Sequence, residues 1–234
     1  MKNVVIIPTY NEKENIETVI SRIFTLVPDI SVTVVDDNSP DGTATIVESL
    51  MRKYPQLAII KRQKKEGLGK AYICAFRKIL EDNDVRSIIM MDADLSHDPA
   101  VLPEMLAYSE EYDVVIGSRY VRSGGTEGWE LWRRGLSFFA NIYCRMITRL
   151  PVYDCTGGYN LVSVSLLRKI DFSTMDSSGY AFQMELKFML WKAGARFKEI
   201  PIIFKNRANG ESKISSHIIL EGVRAPWNMV YYSE

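Results

Sequence analysis

Short apolar runs recur along the first half of the chain and alternate with segments of helical period. The runs cover residues 4–7, 32–35, 57–60, 88–91 and 114–117. Runs of this length are too short for a typical helix and are typical of strands that are buried on both faces. The sequence therefore predicts five strands, each followed by a polar loop.

Between these strands, apolar residues recur every three or four positions, as expected of helices that pack on a sheet. In the first such segment they are Ile16, Val19, Ile20, Ile23, Phe24 and Val27. We predict that Asn11, with Glu14 as its acidic partner, caps this helix and that Thr43 caps the next. Residues 99–108 are a further helix, with Asp98 near its start. This alternation predicts an α/β chain with a mostly parallel central sheet flanked by helices.

The second half changes character. Predicted helices cover residues 129–150, 181–193 and 214–232, the last with Pro226 inside it, and short strands cover 196–200 and 202–204. Residues 123–128 are expected to be a flexible loop, and residues 153–160 a loop whose two glycines permit close approach to a ligand. Asp154 in that loop is either a site carboxylate or the cap of a turn.

The helix predicted from Trp129 has two readings. Trp129, Trp132, Arg133 and Arg134 combine aromatic and basic residues, as at a bilayer interface. The same helix is also consistent with packing on the sheet, with long basic side chains at its rim. The two interpretations are compatible, because one face of the helix can pack on the sheet while another contacts a bilayer.

Composition narrows the function classes. The 234 residues include 29 basic and 29 acidic side chains, and this balance argues against bulk nucleic-acid binding. The three cysteines, Cys74, Cys144 and Cys155, have no metal or disulfide spacing and are consistent with a reducing compartment. A strand begins within the first residues and no apolar run could span a bilayer, so we expect neither a signal peptide nor a transmembrane helix.

Carboxylates stand at the ends of two predicted strands. Asp92 and Asp94 follow one of them, and Asp36 and Asp37 end another. Ligands bind beyond the carboxyl ends of strands in open α/β sheets, and Mg²⁺ and Mn²⁺ prefer oxygen ligands. A metal held against a diphosphate is therefore expected at Asp92 and Asp94, although an Asp-x-Asp pattern alone is a weak signal.

Two common nucleotide motifs are missing. The first strand–loop–helix has no Gly-x-Gly-x-x-Gly, which argues against a Rossmann dehydrogenase. Gly67, Gly69 and Lys70 suggest a phosphate loop, but Ala71 follows where a Walker motif has Ser or Thr. We expect the basic segment 61–70 to attract an anionic substrate or membrane surface.

Six loop motifs together resemble the dolichyl-phosphate (polyprenyl-phosphate) mannosyltransferases, which are inverting family 2 glycosyltransferases. They are PTYNE at 8–12, VDDNSPDGT at 35–43, GLG at 67–69, MDADLSH at 91–97, GSRY at 117–120 and GESK at 210–213. The resemblance covers essentially the whole chain. It implies the nucleotide-sugar-binding type A fold in a single catalytic domain, residues 1–234, with the helix at about 214–232 facing a membrane or a partner.

The resemblance also implies the site. Nucleotide contacts fall on Pro8, Tyr10, Glu12, Val35, Asp37, Asp92 and Ala93. Asp94, with Asp92 beside it, would hold Mg²⁺ or Mn²⁺, while Ser96 stands where some relatives have Gln. Arg119 would lie near the sugar phosphate, and Arg207 and Lys213 near the diphosphate or the acceptor phosphate. Asp94, Arg119, Arg207 and Lys213 would carry the catalysis, and Asp37 would accept two hydrogen bonds from guanine.

The implied reaction moves mannose from GDP-mannose to a polyprenyl (dolichyl) phosphate with inversion. The acceptor oxygen is already ionised near neutral pH, so a strong base is not required, and His97 is expected to be structural. The resemblance implies a peripheral enzyme on the cytosolic face of a membrane, held by the membrane surface or by small membrane-anchoring subunits. UDP-glucose or another UDP-sugar as donor, and a catalytically silent nucleotide-sugar-binding protein, remain alternatives.

Overall fold

The computed structural model describes residues 1–175, 179–206 and 216–231. Its strands are β1 Lys2–Thr9, β2 Ser31–Asp36, β3 Leu57–Lys61, β4 Val85–Met90, β5 Val114–Ser118, β6 Gly125–Glu127, β7 Asn160–Ser163, β8 Phe197–Pro201 and β9 Ile203–Lys205. Its helices are α1 Ile16–Leu26, α2 Thr43–Leu50, α3 Leu68–Ile79, α4 Leu102–Tyr108, α5 Leu131–Thr148, α6 Val164–Leu167, α7 Gly179–Lys192 and α8 Ser216–Tyr231, with a 3-10 turn at Pro99–Val101.

Seven strands form a central sheet in the order β3-β2-β1-β4-β7-β5-β8. All neighbouring pairs are parallel except those of β7, which runs antiparallel between β4 and β5. The predicted α/β class with a mostly parallel sheet is therefore confirmed. Because the parallel strands end at one edge, their following loops lie next to each other.

Apolar cores cover both faces of this sheet. Residues of α1, α2 and α4 pack on one face, and residues of α3, α6 and α7 pack on the other. The run at residues 4–7 is buried throughout, as expected of a strand that is covered on both sides. Each strand thus contributes alternate side chains to the two cores.

The strand β7 is not predicted from the sequence; it begins at Asn160, the last residue of the predicted loop 153–160, which is otherwise a loop as expected. This strand is four residues long and pairs with β4 and β5 in the middle of the sheet. A second difference is β6, which lies inside the predicted flexible loop 123–128 and pairs with β9. Both strands are short and are stabilised by partners distant in sequence, so no local periodicity reveals them.

The predicted cap at Asn11 is wrong. The helix begins at Ile16 with Asn15 in the cap position, and Asn11 has a positive φ of 62°. The backbone N–H groups of Asn11 and Glu12 instead donate to the side chains of Ser39 and Thr43. These tertiary bonds give acceptors to N–H groups at the predicted start of the helix and tie the β1–α1 and β2–α2 loops together.

The start of α2 also differs from the prediction. Gly42 occupies the cap position in a left-handed conformation, and Thr43 is the first helical residue. Asp41 accepts hydrogen bonds from both the backbone and the hydroxyl of Thr43. Asp98, by contrast, does cap the turn at Pro99, by accepting from the N–H of Ala100.

Candidate active site

The predicted nucleotide residues meet at the edge where β2, β1 and β4 end side by side. Pro8 lies opposite Val35 in the register of β1 and β2. Met91, immediately before Asp92, donates its N–H to the carbonyl of Ile6. The loops that carry Tyr10, Asp37 and Asp94 therefore form one continuous surface.

Tyr10 offers an aromatic face to this surface. Its side chain is 38% exposed, and the Lys65 ammonium lies 4.0 Å from the centre of its ring. The basic loop that begins after β3 thus reaches over the end of β1. A flat ring with a cation above it suits stacking of a nucleobase near a negatively charged diphosphate.

The adjacent carboxylates Asp36 and Asp37 have different roles. Asp36 accepts hydrogen bonds from Thr9 and Ser39 and holds the β2–α2 loop. Asp37 pairs with Arg62 at 2.7 Å between Oδ1 and Nη1. Burial raises the pKa of Asp37, and the charge of Arg62 opposes that rise. Asp36 is therefore a loop-holding residue, whereas Asp37 is oriented by its ion pair with Arg62.

The Asp92–His97 loop is held by its own groups. The N–H of Asp92 donates to Nδ1 of His97 at 3.0 Å, which places the imidazole proton on Nε2. The ring stacks on Tyr159, with 4.8 Å between ring centres, and burial lowers the pKa of His97. A neutral, buried imidazole that accepts a backbone hydrogen bond is structural, as the sequence led us to expect.

Asp94 is buried, and its Oδ1 accepts from the N–H of Ser96 at 3.0 Å. The Ser96 hydroxyl is also buried and has no hydrogen-bond partner within the described part of the chain. With Asp92, these groups offer hard oxygen atoms that suit Mg²⁺ or Mn²⁺. Among residues 1–175, 179–206 and 216–231, no group of three or more acidic, His or Cys side chains is arranged so that it could hold a metal ion by itself. A cation here would need further ligands from substrate phosphates, as such sites commonly use.

Arg119 follows β5 and is fixed by Asp154. The guanidinium donates from Nε and Nη2 to the two carboxylate oxygens at 2.8 and 2.7 Å, and its Nη2 also donates to Thr156. Burial alone would raise the pKa of Asp154, but Arg119 more than offsets it, so this pKa lies below its usual value. The pair is therefore a buried, fully charged and bidentate ion pair.

The loop that carries Asp154 is held by side chains from three elements. Asn141 of α5 accepts from the N–H groups of Cys155 and Thr156, and Glu199 of β8 accepts from those of Tyr153 and Asp154. Lys187 of α7 donates to the carbonyls of Gly157 and Cys155 at 2.6 and 3.2 Å. Burial lowers the pKa of Lys187 to about 8, against the charge of Asp154. The loop is thus preorganised before any ligand arrives.

Aromatic rings surround the other side of Arg119. The ring centres of Tyr120, Trp129 and Phe204 lie 5.4, 5.5 and 5.7 Å from its guanidinium carbon. These rings limit the movement of the guanidinium and exclude water around it.

A profile of glycosyl transferase family 2 matches residues 4–171. The chain belongs to glycosyl transferase family 2. It is 40% identical over 224 residues to the undecaprenyl-phosphate mannosyltransferase of Micrococcus luteus, which covers 95% of this chain and 91% of that protein. It is 38% identical to the polyprenol monophosphomannose synthase of Mycolicibacterium smegmatis, over 95% of this chain and 84% of that one. The resemblance to polyprenyl-phosphate mannosyltransferases and the assignment as a glycosyltransferase are thus confirmed.

Solved structures show the fold of this family 2 glycosyltransferase. Glucosyl-3-phosphoglycerate synthase of Mycobacterium tuberculosis, solved with Mn²⁺ and UDP-glucose, has a TM-score of 0.67 at 18% identity, covering 98% of this chain and 78% of that one. A mannosyltransferase of Pyrobaculum calidifontis, solved with GDP-mannose and Mn²⁺, has a TM-score of 0.63 at 17% identity, covering 99% and 64%. The expected type A fold is confirmed.

In this family 2 glycosyltransferase, most of the candidate site residues named from the sequence lie on neighbouring loops of the structure. Arg207 and Lys213, together with the motif at 210–213, lie outside the described residues. Sequence reasoning left the role of Asp154 open and missed the supports of its loop: Asn141, Lys187 and Glu199. Lys187 could have been noticed, because Gln183, Glu185 and Lys187 alternate with apolar residues in α7 and a helix with that pattern must bury some of them.

Proposed function

We propose that this protein transfers mannose from GDP-mannose to a polyprenyl phosphate with inversion, as a peripheral enzyme on the cytosolic face of a membrane. The observation that carries the proposal is the identity of 40% over 95% of the chain with an undecaprenyl-phosphate mannosyltransferase. The site geometry supports it, since Asp94 and Arg119 face the same edge of the sheet. The three free cysteines support a reducing compartment.

The donor nucleotide would lie across the ends of β1 and β2. Tyr10 would stack on the base, and Asp37, oriented by Arg62, would accept from the base N–H groups. Pro8, Glu12 and Val35 line the same surface, and Asp92 and Ala93 continue it toward the diphosphate. A guanine offers two adjacent N–H donors to a carboxylate, whereas uracil offers one.

Asp94 and Asp92 would hold Mg²⁺ or Mn²⁺, which when bound would neutralise negative charge on the departing diphosphate. Arg119 presents a fixed guanidinium to the same charge, and we place Arg207 and Lys213 beside it. Preorganised donors of this kind contribute several kcal/mol to the transition state. Charge neutralisation also permits two phosphate-bearing substrates to approach each other.

In the reaction, an oxygen of the polyprenyl phosphate attacks the anomeric carbon of mannose from the face opposite GDP. The bond from this carbon to the diphosphate oxygen breaks, its electron pair leaves with GDP, and the product is a β-mannosyl phosphate. The phosphate nucleophile carries no proton that must be removed near neutral pH. The neutral and buried His97 is therefore not needed as a base.

The acceptor would enter through a cavity of about 480 Å³ beside Arg119. Its lining includes Arg119 and Arg134, which suit a phosphate, and Tyr120 and Phe138, which suit the first isoprene unit. The cavity lies between the β5–β6 connection and the start of α5. A lipid chain leaving it would run along the exposed side of α5.

That side of α5 continues into α8 and forms an apolar surface, which we call the α5–α8 surface. It consists of Leu131, Trp132, Phe138, Phe139, Met146, Leu220, Val223, Trp227 and Tyr231, all exposed. Tyr143 joins the two helices through the Val223 carbonyl and the Trp227 indole. Exposed Arg134, Arg149 and Arg224 flank it. Aromatic and basic residues around an exposed apolar patch suit a bilayer interface with anionic lipid.

Among the described residues, no helix combines the length and apolar character needed to cross a bilayer. We propose the membrane surface itself as the main contact of the α5–α8 surface. Small membrane-anchoring subunits are the other partner that this surface would suit.

A transfer assay tests the proposed function. Purified protein is incubated with radiolabelled GDP-mannose or UDP-glucose, a polyprenyl phosphate in detergent, and Mg²⁺ or Mn²⁺, and label in the organic phase is counted. We expect transfer from GDP-mannose only, dependent on the cation. Transfer from UDP-glucose alone would replace the donor. Binding of GDP-mannose without transfer, also in the presence of membranes, would support a catalytically silent protein instead.

A further inference from the structure

Gln183 on α7 has a buried donor that the site described above does not use. The residue is 2% exposed, and its Nε2 has no hydrogen-bond partner within the described part of the chain. A buried amide donor without an acceptor loses its hydrogen bond to water and gains none in return, so it destabilises the fold. An unpaired donor in a glycosyltransferase site is a reason to look for the ligand group that would pair with it.

The orientation of the Gln183 amide follows from its neighbour Asn160. The Nδ2 of Asn160 donates to the Gly157 carbonyl at 3.1 Å, and this contact requires the nitrogen of Asn160 to be on that side. The same Nδ2 also donates to Gln183 at 3.0 Å, so the oxygen of Gln183 must face Asn160. The Nε2 of Gln183 therefore points away from Asn160, and an exchange of its two amide atoms would put two donors against each other.

The Nε2 of Gln183 faces the loop of Asp92, Asp94 and His97 across Gly158. A Cβ built on Gly158 would lie 3.6 Å from Nε2 of Gln183 and 3.5 Å from Cε1 of His97. The absence of a side chain at Gly158 thus leaves a gap about the size of one methyl group between these two side chains. Because His97 binds the N–H of Asp92, this gap lies beside the loop that carries Asp92 and Asp94.

We propose that Nε2 of Gln183 donates a hydrogen bond to a hydroxyl of the donor sugar ring and thereby selects the sugar. This inference rests on the proposed function, because it assumes a nucleotide sugar with its diphosphate at Asp94. The diphosphate is matched by cations, whereas a neutral amide donor suits a neutral hydroxyl. The sugar is also the part of the donor that must lie next to the diphosphate, on the side of Arg119.

The test uses GDP-mannose and its monodeoxy analogues at C2, C3, C4 and C6. A site built to bind a hydroxyl rejects the analogue that lacks it, because its donor is left unpaired. We expect wild-type kcat/KM to fall on the order of 10- to 100-fold for one analogue in particular. Replacement of Gln183 by Met, which has similar length and no donor, should remove the discrimination at that position only.

Two further measurements separate this role from damage to the fold. Calorimetric binding of GDP, which lacks the transferred mannose ring, should be the same in Gln183→Met and wild type. Gln56→Met, the same change at an exposed residue, should retain the wild-type discrimination pattern. An equal loss of activity for all analogues, or no change in discrimination, would overturn the assignment.

Gly158→Ala gives an independent test if Gln183→Met does not fold. Its added methyl would make ordinary contacts in the gap and leave the bonds of Gln183 intact. We expect KM for GDP-mannose to rise about 10-fold or more while GDP affinity stays unchanged; an unchanged KM would contradict the proposal. If the wild type uses a UDP-sugar, the proposal of GDP-mannose as donor is wrong. The role of Gln183 is then tested with the same variants and the monodeoxy analogues of that UDP-sugar.

Discussion

Arg119 depends on geometry as well as on charge. Its bidentate bonds to Asp154 direct the guanidinium, and a lysine cannot reproduce two parallel donors. We expect Arg119→Lys to retain the fold but lose about 100-fold in kcat, in line with the loss of one preorganised donor. Steady-state transfer kinetics measure this.

The matched control is Arg62→Lys, which changes an arginine that pairs with Asp37 on the nucleotide side. It should raise KM for the donor more than it lowers kcat. Equal effects of both substitutions on kcat would mean that Arg119 acts only as a general positive charge.

Asp94 gives a second prediction at this scale. Its carboxylate is the buried one of the two expected metal ligands, so Asp94→Asn should reduce transfer by about 100-fold or more. Asp98→Asn, in the same loop, retains the Oδ1 acceptor of the cap and weakens only an exposed pair with Arg22, so it should leave kcat within about twofold. Full activity of Asp94→Asn at saturating donor would remove Asp94 from the mechanism.

Individual site residues could be predicted from the sequence where they follow a strand directly. Asp94 and Arg119 each come just after a short apolar run, so strand end and motif coincide. The partner of Arg119 is 35 residues away, in a loop without periodicity, and only the fold brings Asp154 to it. The cap predicted at Asn11 was wrong for a related reason, because bonds to a distant loop replaced the local one.

At the scale of elements, α5 links the exposed apolar α5–α8 surface to the loop that carries Asp154. Asn141 accepts two backbone N–H groups of that loop, and Asn141→Ala would leave both buried and unpaired. We expect a loss of about 2–4 kcal/mol in the free energy of unfolding, measured by urea denaturation. A change below about 0.5 kcal/mol would show that water replaces the amide, and that the loop does not depend on α5.

The exposed face of α5 gives a separate prediction. Trp132 and Phe139 are 59% and 68% exposed, so Trp132→Ala with Phe139→Ala removes apolar area without disturbing the core. We expect binding to vesicles containing anionic lipid to weaken about tenfold or more, as measured by co-sedimentation. Leu26→Ala, an exposed apolar residue on α1, is the control and should bind as the wild type does. Unchanged binding of the double variant would favour a protein partner on this surface.

Helices were predictable where apolar periodicity was long, as in α1 and α5. The strand β7 was not, because it has four residues and its stability comes from pairing on both sides with β4 and β5. Its insertion matters for the site, since Asn160 at its start orients Gln183. Sequence patterns therefore identified candidate site residues in the first half of the chain better than those in the second half.

For the whole molecule, ligand binding and stability are linked. The residues that we propose for the nucleotide and the cation lie on the loops after β1, β2 and β4, which are neighbouring strands of the sheet. A ligand that binds only the folded state at 100 times its Kd adds about 2.7 kcal/mol of stability. For a chain of this size, that corresponds to an increase in Tm of about 5–10 °C.

We therefore expect GDP to raise Tm and Mn²⁺ to raise it further only when GDP is present, because the carboxylates need the diphosphate to complete the ligand set. In Asp94→Asn the increase from GDP should persist, while the additional increase from Mn²⁺ should disappear. Differential scanning fluorimetry with Ca²⁺ as a control cation measures both increases. If Mn²⁺ raised Tm equally with and without GDP, the cation would bind elsewhere, and the proposed shared site of metal and diphosphate would be wrong.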